Sequence, residues 1–413
     1  MLLHKRDYIR NQGLTGGSGK QMLKRFAQVI CETTHDIIGH HVIITDESAV
    51  IIGSSDPLRL HTVHAPSIVA MKQKRETYTE PEEASKMKGV KPGVTLPVFL
   101  AGEVVGSIAI AGDHREVARY GLLVQKQAEL FLREQLIQES AGARERALRE
   151  LVSDIASFAP EQDDSAVLAT RVKELGYDMD VHRVCLVMEL GPDDPETAEK
   201  MEDPIKKVSI STGAQEIIRS VFPEPSCFCS GMGHTRFVVF AAVEKPDVDT
   251  CSPPIEEKCG KCRSLLGDMG LNLTIGAGSC ARDPEGLHYS YCEAWKALAI
   301  GLKKGEPGKN HRIGDYLLED LLSTVNIRKG RRFSRKHLSG LRKMPDGDDM
   351  VKTFRAWCES PCNPGKVAER LNIHRNTLNY RLEKIHRITG ADLKNFREAF
   401  GLFIAVTLEM LHE

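Results

Sequence analysis

The residues with the most specific chemistry lie near the C-terminus, where His374, Arg375, Asn376 and Thr377 stand in a row ahead of Leu378, Leu382 and Ile385. The apolar three recur at i, i+4 and i+7, which predicts a helix over 375–388 with those side chains inward. Arg375, Asn376, Asn379, Glu383 and Arg387 then share its outer face. Arginine can give guanine two hydrogen bonds, asparagine can do the same for adenine, and threonine can touch the thymine methyl; residues at a helix start reach base edges first. A shorter helix is expected just upstream, with Asn363 as N-cap, Pro364 in the first turn and Val367, Ala368 and Leu371 as its apolar stripe. Asn372-Ile373 make the turn between them. Two helices so joined, the second basic and amide-rich at its start, form a helix-turn-helix arrangement suited to the major groove. His374, Arg375, Asn376 and Thr377 are the base-reading candidates, Asn379 shares their face, and Tyr380, Arg381 and Lys384 are expected on phosphates. The plain alternative is a helical hairpin with a solvated polar face.

Charge favours the nucleic-acid reading. The chain as a whole carries −1, yet 328–400 holds eighteen Lys and Arg against eight Asp and Glu, a local +10. A compact basic module at one end suits a polyanion partner.

Other clusters are weaker. Gly16-Gly17-Ser18-Gly19-Lys20 invites a phosphate-loop reading, but Leu14 replaces the first glycine, Gln21 replaces the magnesium-holding Ser or Thr, and no strand precedes it. Cys227, Cys229, Cys251, Cys259 and Cys262 include a C-x-C and a C-x-x-C without a regular second pair, so free thiols are expected over zinc. His61 and His64 have no carboxylate pattern beside them to make a metal site. No metal and no cofactor is expected.

The elements that must position these residues follow from length and patterning. The chain has 413 residues, 41% hydrophobic and 27% charged, which suits two to four globular domains at roughly 100 to 200 residues each. No apolar run approaches the roughly 18 residues of a membrane span. The N-terminus lacks an apolar signal core, and the eleven cysteines are odd in number; a cytoplasmic protein with reduced thiols is expected. The spacing predicts a flexible leader at 1–19 and a helix over 21–38. Two hairpins follow, Val42 to Gly53 and Val94 to Gly112, with a helical segment over 67–74 between them. A long helix is expected over 120–158, broken near Ser140-Ala141-Gly142. Its Leu123, Leu130 and Ile137 recur every seven residues, so that face could pair with a second copy or pack on its own domain. Over 160–320, strands at 183–190, 235–243 and 271–277 alternate with helices at 200–221, 255–269 and 286–302, the pattern of a sheet covered by helices.

The run Val367-Ala368-Glu369-Arg370-Leu371-Asn372-Ile373-His374-Arg375-Asn376-Thr377-Leu378-Asn379-Tyr380-Arg381-Leu382, with Thr389-Gly390-Ala391-Asp392-Leu393, closely resembles the C-terminal helix-turn-helix of PucR-type and sugar diacid regulators. Upstream, Ile51-Ile52-Gly53-Ser54, Asp56 to Arg59, His64-Ala65, Gly89 to Pro97 and Gly102 to Gly106 resemble the sugar diacid recognition domain of CdaR-type regulators. The matches run in the same order over about 21–411. The resemblance implies a multidomain α+β chain: a leader at 1–19, a PAS/GAF-like sensor domain at 20–140, a degenerate GGDEF-like α/β domain at 141–325 and an all-α helix-turn-helix domain at 326–413. It implies a transcription activator that senses a small hydroxy acid such as glucarate, galactarate or glycerate and binds operator DNA; with the seven-residue apolar repeat, a homodimer or larger homo-oligomer is expected. A carboxylate needs cations or N–H donors and a polyol needs short polar groups. Arg59, His64, Lys91 and Thr95 supply these, Gly93 lets backbone approach, and Leu96 adjoins them. Two positions depart from the family: Lys91 stands where an arginine is frequent, and Thr95 where some members have asparagine. In the central domain Gly231-Met232-Gly233-His234 lacks the paired carboxylates of a working cyclase, so no catalysis is expected there. The rival readings are an enzyme with a nucleotide cyclase-like or phosphodiesterase centre and an appended DNA module, or a regulator that answers another small acid or a protein.

Overall fold

The computed structural model describes residues 16–244, 253–360 and 363–412. Most of the expected leader, 1–15, and Cys251 lie outside the described residues. The chain divides into two compact units, 1–144 and 145–413.

The first unit is built on a five-stranded antiparallel sheet, β1 (Val42–Asp46), β2 (Ile51–Ser54), β3 (Thr77–Thr79), β4 (Gly93–Leu100) and β5 (Glu103–Ala111), in the order β2-β1-β5-β4-β3. Both expected hairpins are present; β3 was not anticipated, because three residues give no periodicity. Helix α1 (Gly16–Ile38) starts earlier than expected, since Gly16 to Gly19 continue it instead of forming a loop. Alternation along the strands sorts the sheet into two faces. Val42, Ile44, Val94, Leu96, Val98, Ile108 and Ile110 join Leu23, Ala27 and Cys31 of α1 and Val124, Ala128 and Leu132 of α4 (His114–Ser157) in one apolar core. Thr45, Thr95 and Ser107 are buried on the opposite face, beside α2 (Ala65–Gln73). The short α3 (Pro81–Ala84) completes the unit. The break expected in α4 near Gly142 is absent: one interior glycine costs about 1 kcal/mol relative to alanine, too little to interrupt a helix of 44 residues.

In the second unit the sheet order is β10-β9-β6-β8-β7, from β6 (Arg183–Pro192), β7 (Phe228–Gly231), β8 (Arg236–Ala242), β9 (Leu271–Ala281) and β10 (Asn310–Arg312), with only β9 and β10 parallel among the described pairs. On one face Leu186, Met188, Phe237 and Val239 meet α7 (Pro204–Val221) and α8 (Pro253–Gly267). On the other, Cys185, Val187, Val238 and Phe240 meet α5 (Ser165–Glu174), α9 (Pro284–Lys303) and Leu148 to Phe158. The single helix expected over 200–221 is two, because Pro204 has no N–H to continue α6 (Pro195–Glu202) and the Asp203 carboxylate instead caps α7. Helix α9 lies directly on β9: a Cβ at Gly276 or Gly278 would run into the backbone carbonyls of Ala294 and Ser290.

The chain then turns wholly helical, through α10 (Leu317–Ser323), α11 (Ile327–Arg342), α12 (Gly347–Glu359), α13 (Pro364–Arg370), α14 (Arg375–Thr389) and α15 (Phe396–His412). Leu338, Leu341, Met350, Phe354, Ile385, Leu402, Ala405 and Val406 form the core of this helical end. Arg342 of α11 fastens it from outside, binding both carboxylate oxygens of Glu409 on α15, and also Asp348. The last turn of α15 rests on the neighbouring sheet domain. Met410 and Leu411 pack on Ala297, Ile300, Ile313 and Tyr316, while Lys303 Nζ donates to the carbonyls of Met410 (3.1 Å) and Leu411 (2.8 Å) and Arg331 donates to that of His412 (2.8 Å). A cation at a helix C-terminus meets the carbonyls the helix leaves unpaired.

Candidate functional site

Two groups of candidate residues come together, one in each unit. In the first unit, Arg59, His64, Lys91, Gly93 and Thr95 line one small cleft on the polar face of the sheet, open to solvent. Two stretches of chain, 59–64 and 91–95, bring them there. Arg59 ends a short turn of helix capped by the Asp56 carboxylate, His64 is the N-cap position of α2, Lys91 precedes β4, and Thr95 faces the cleft from within it. The sixth candidate, Leu96, does not line it. Strand alternation sends its side chain to the other face, where it packs toward α4 and leaves room only for Gly121. The cleft also has walls that sequence reasoning missed, among them His41 and Thr79. Thr79 lies in the unanticipated β3 opposite Gly93, and His41 stands just before β1 without a motif around it.

A Cβ at Gly93 would strike the Ile110 carbonyl and crowd Ala111, so the close approach of β4 and β5 itself requires glycine at this point of the cleft.

The cleft is electropositive. Arg59 is half-buried and has no carboxylate in ion-pair range among the described residues; burial pulls its pKa below the usual arginine value, partly offset by Asp56. Lys91 is exposed and likewise has no ion pair among the described residues. Burial first, then the charges of Lys91 and His35, lowers the His41 pKa. Burial together with Arg59 brings His64 down to about 4, so at neutral pH its ring is uncharged. Two unpaired cations, neutral imidazoles and a threonine hydroxyl make a place for an anion that also carries hydrogen-bonding oxygens.

In the second unit, α13 and α14 are joined by Leu371 to His374, with Asn372 at φ 51° in the left-handed region that asparagine tolerates better than most residues. Asn363 Oδ1 accepts from the Lys366 N–H at 3.1 Å to start α13, and His374 Nδ1 accepts from the Asn376 N–H at 3.2 Å to start α14. Leu378 and Ile385 are fully buried, Leu378 beside Ala356, Val367 and Ala368. His374, Arg375, Asn376, Thr377, Asn379 and Tyr380 remain exposed on one contiguous stretch of α14. Arg375 makes no ion pair among the described residues.

Arg381 and Lys384 are placed differently from the rest. Arg381 donates to Thr353 Oγ1 (3.1 Å) and lies 3.6 Å from Asp349, and Lys384 lies 2.5 Å from Asp346. Their side chains are only 21% and 16% exposed. Both brace α14 against the α12 side, and Arg370 ties α13 to α12 through Glu359 at 2.7 Å. Arg381 and Lys384, expected on phosphates, are thus engaged in ion pairs within the protein, one turn apart on the face of α14 that meets Asp349 and Asp346. Lys366, Arg370, Arg375 and Arg387 are exposed cations of this motif.

The turn between β7 and β8, Met232 to Thr235, contains no carboxylate. Cys227, Cys229 and Cys262 are buried free thiols and Cys259 is buried beside them, with burial raising Cys229 to about 12 and Cys262 to about 11. Among the described residues no three His, Cys, Asp or Glu are grouped to hold a metal, and no helix is long and apolar enough to cross a membrane.

Three family models match in chain order: sugar diacid recognition at 22–155, a GGDEF-like domain at 159–300 and the PucR C-terminal helix-turn-helix domain at 350–408. The Carbohydrate diacid regulator of Escherichia coli (strain K12) is 25% identical over 398 residues, 95% of this chain and 99% of that protein. The DNA-binding transcriptional activator AdeR of Bacillus subtilis (strain 168) is 34% identical over 150 residues, 33% of each chain. The Proline-responsive transcriptional activator PutR of the same organism is 27% identical over 142 residues, 33% of this chain and 34% of that one. The chain thus carries a sugar diacid recognition domain, a GGDEF-like domain and a PucR-type helix-turn-helix domain in this order, and is similar over nearly its whole length to the Carbohydrate diacid regulator.

Proposed function

We propose that the protein is a one-component transcription regulator, a cytoplasmic activator that binds operator DNA through α14 and answers a small hydroxy acid held in the cleft of its first unit. The observation that carries the DNA half is the exposed row His374 to Thr377, Asn379 and Tyr380 on a helix whose other face is locked into a core. The observation that carries the effector half is the half-buried Arg59, with no carboxylate paired to it among the described residues, at the mouth of a cleft shared with Lys91, His64 and Thr95. A sugar diacid or glycerate would bring carboxylate to the cations and hydroxyls to Thr95 and Thr79. We read the first unit as a PAS/GAF-like sensor, on its antiparallel sheet with a ligand cleft on one face and long helices on the other.

Thermal shift with glucarate, galactarate and glycerate tests this. At about 100 times Kd a single-site ligand adds about 2.7 kcal/mol to stability, so the matching acid is expected to raise the melting temperature of the first unit by several degrees. Arg59→Ala is expected to abolish most of that rise. A rise of equal size in Arg59→Ala would move the effector elsewhere.

A homodimer is the assembly we favour. Leu123, Leu130 and Ile137 are 64%, 62% and 55% exposed along one stripe of α4, while Val124, Ala128 and Leu132 fill its own core. A seven-residue apolar repeat facing water is suited to a second copy of itself. Leu123→Glu combined with Leu130→Glu is expected to give monomers by light scattering with the first unit still folded; an unchanged mass rejects this face. Two recognition helices in a dimer would read half-sites about one DNA turn apart.

A further inference from the structure

Three hydroxyls and an imidazole stand in one line beneath the cleft. Thr45 Oγ1 of β1 lies 2.8 Å from Ser107 Oγ of β5, which lies 2.6 Å from Ser67 Oγ of α2, which lies 2.8 Å from His64 Nδ1. Thr45, Ser67 and Ser107 are wholly buried, and His64 is 4% exposed.

Counting hydrogens fixes the direction of this line. Each hydroxyl has one hydrogen to give, and three hydroxyls serve three links. Were the imidazole proton on Nδ1, it would donate to Ser67, Ser67 to Ser107 and Ser107 to Thr45. The Thr45 hydroxyl would then have no acceptor among the described residues, at a site shut off from water. Buried donors without acceptors are rare in folded proteins because nothing replaces the lost hydrogen bond to solvent. Run the other way, Thr45 donates to Ser107, Ser107 to Ser67 and Ser67 to Nδ1, and every hydrogen is used. A charged ring would put a second donor at Nδ1 against the same hydroxyl, and burial beside Arg59 opposes it independently. The remaining nitrogen, Nε2, has no partner among the described residues, and the ring lines the cleft.

We infer that the Thr45, Ser107 and Ser67 hydroxyls hold His64 as the neutral tautomer with its proton on Nε2, so that His64 can only donate to a ligand oxygen. Thr45, Ser67 and Ser107 are positioning residues. The tautomer is a property of the protein without effector; only the ligand oxygen rests on the effector reading above. A ring restricted to donating selects carboxylate or carbonyl oxygen at that point and disfavours an amide NH₂ or an ammonium.

The full-length protein labelled with ¹⁵N-histidine tests this by long-range proton–nitrogen correlation at pH 7, the His64 signals being assigned by their loss in His64→Gln. Wild type without effector is expected to show the neutral Nε2–H pattern. Thr45→Val should keep it, since two hydroxyls still point toward Nδ1, whereas Ser67→Ala should show mixed tautomers. An Nδ1–H or doubly protonated ring in wild type overturns the inference, as does an unmixed Nε2–H ring in Ser67→Ala. Glycerate and glucarate are then titrated by calorimetry. Ser67→Ala is expected to bind the responding acid about tenfold more weakly, as loss of about one hydrogen bond's ordering implies, with Ser67→Thr restoring affinity. Equal affinity in Ser67→Ala removes the hydroxyl line from recognition. An Nε2–H ring in a protein that binds neither acid instead overturns the effector reading.

Discussion

Arg375→Ala with Asn376→Ala is expected to remove most sequence-specific DNA binding, on the order of 1 to 3 kcal/mol for each side chain that makes a paired base contact. Both are exposed at the start of α14, and neither holds the fold through an ion pair or buried contact among the described residues. The loss should therefore appear in affinity for a fragment carrying the protein's own promoter, with thermal unfolding unchanged. Residual binding should be sequence-independent and fall steeply with salt, since phosphate contacts by exposed cations such as Lys366 and Arg387 would persist. Footprints of undiminished affinity at the same bases would mean that another element enters the groove. Arg381→Ala gives the contrast. Its guanidinium is spent on Thr353 and Asp349, so its removal is expected to act mainly on the packing of α14 against α12.

Phe354→Ala is expected to cost about 3 to 5 kcal/mol in the helical end of the second unit. Phe354 is 0% exposed and sits among Leu338, Leu341, Met350, Ile385 and Leu402, the side chains that hold α11, α12, α14 and α15 together. The phenyl ring fills the space against which the inner face of the recognition helix packs. Its removal should lower the urea midpoint of this region and weaken binding to all DNA sequences alike, a pattern distinct from that of Arg375→Ala/Asn376→Ala. The effector response of the first unit should survive, because that unit has its own core. Wild-type DNA affinity together with an unshifted urea midpoint would show that this ring is not what seats α14.

Where patterning was regular, sequence and structure agree closely. Leu378, Leu382 and Ile385 mark the inner face of α14, and the β-branched runs of β1, β4, β5, β6 and β8 are strands. Three-residue β3 and β10 could not be read, being shorter than one period of any pattern, and they pair only because a neighbouring strand offers an edge. Of the residues that line the cleft, Arg59, His64, Lys91 and Thr95 stood out in the sequence through their polar chemistry within the family-like segments. Leu96 was misplaced by adjacency in sequence, which in a strand means opposite faces. His41, Thr79 and the hydroxyl partners Ser67 and Ser107 were not legible, since distant segments carry them and only the β1, β5 and α2 packing brings the hydroxyls into line. Arg381 and Lys384 show the same limit: their charge is plain in the sequence, but the carboxylates that claim it, Asp349 and Asp346, lie over thirty residues earlier.

The final turn of α15 bears on how the DNA-reading part can be separated from the rest. A fragment beginning near residue 326 would retain α14 intact but discard Lys303, Ala297, Ile300, Ile313 and Tyr316, so that Met410 and Leu411 would face water and the closing carbonyls would lose their lysine donor. Such an excised piece is prone to self-association through that bared end. A cut near residue 145 keeps the seat together with its occupant and the sheet on which α9 lies, so the portion suited to co-crystallisation with an oligonucleotide is the whole second unit.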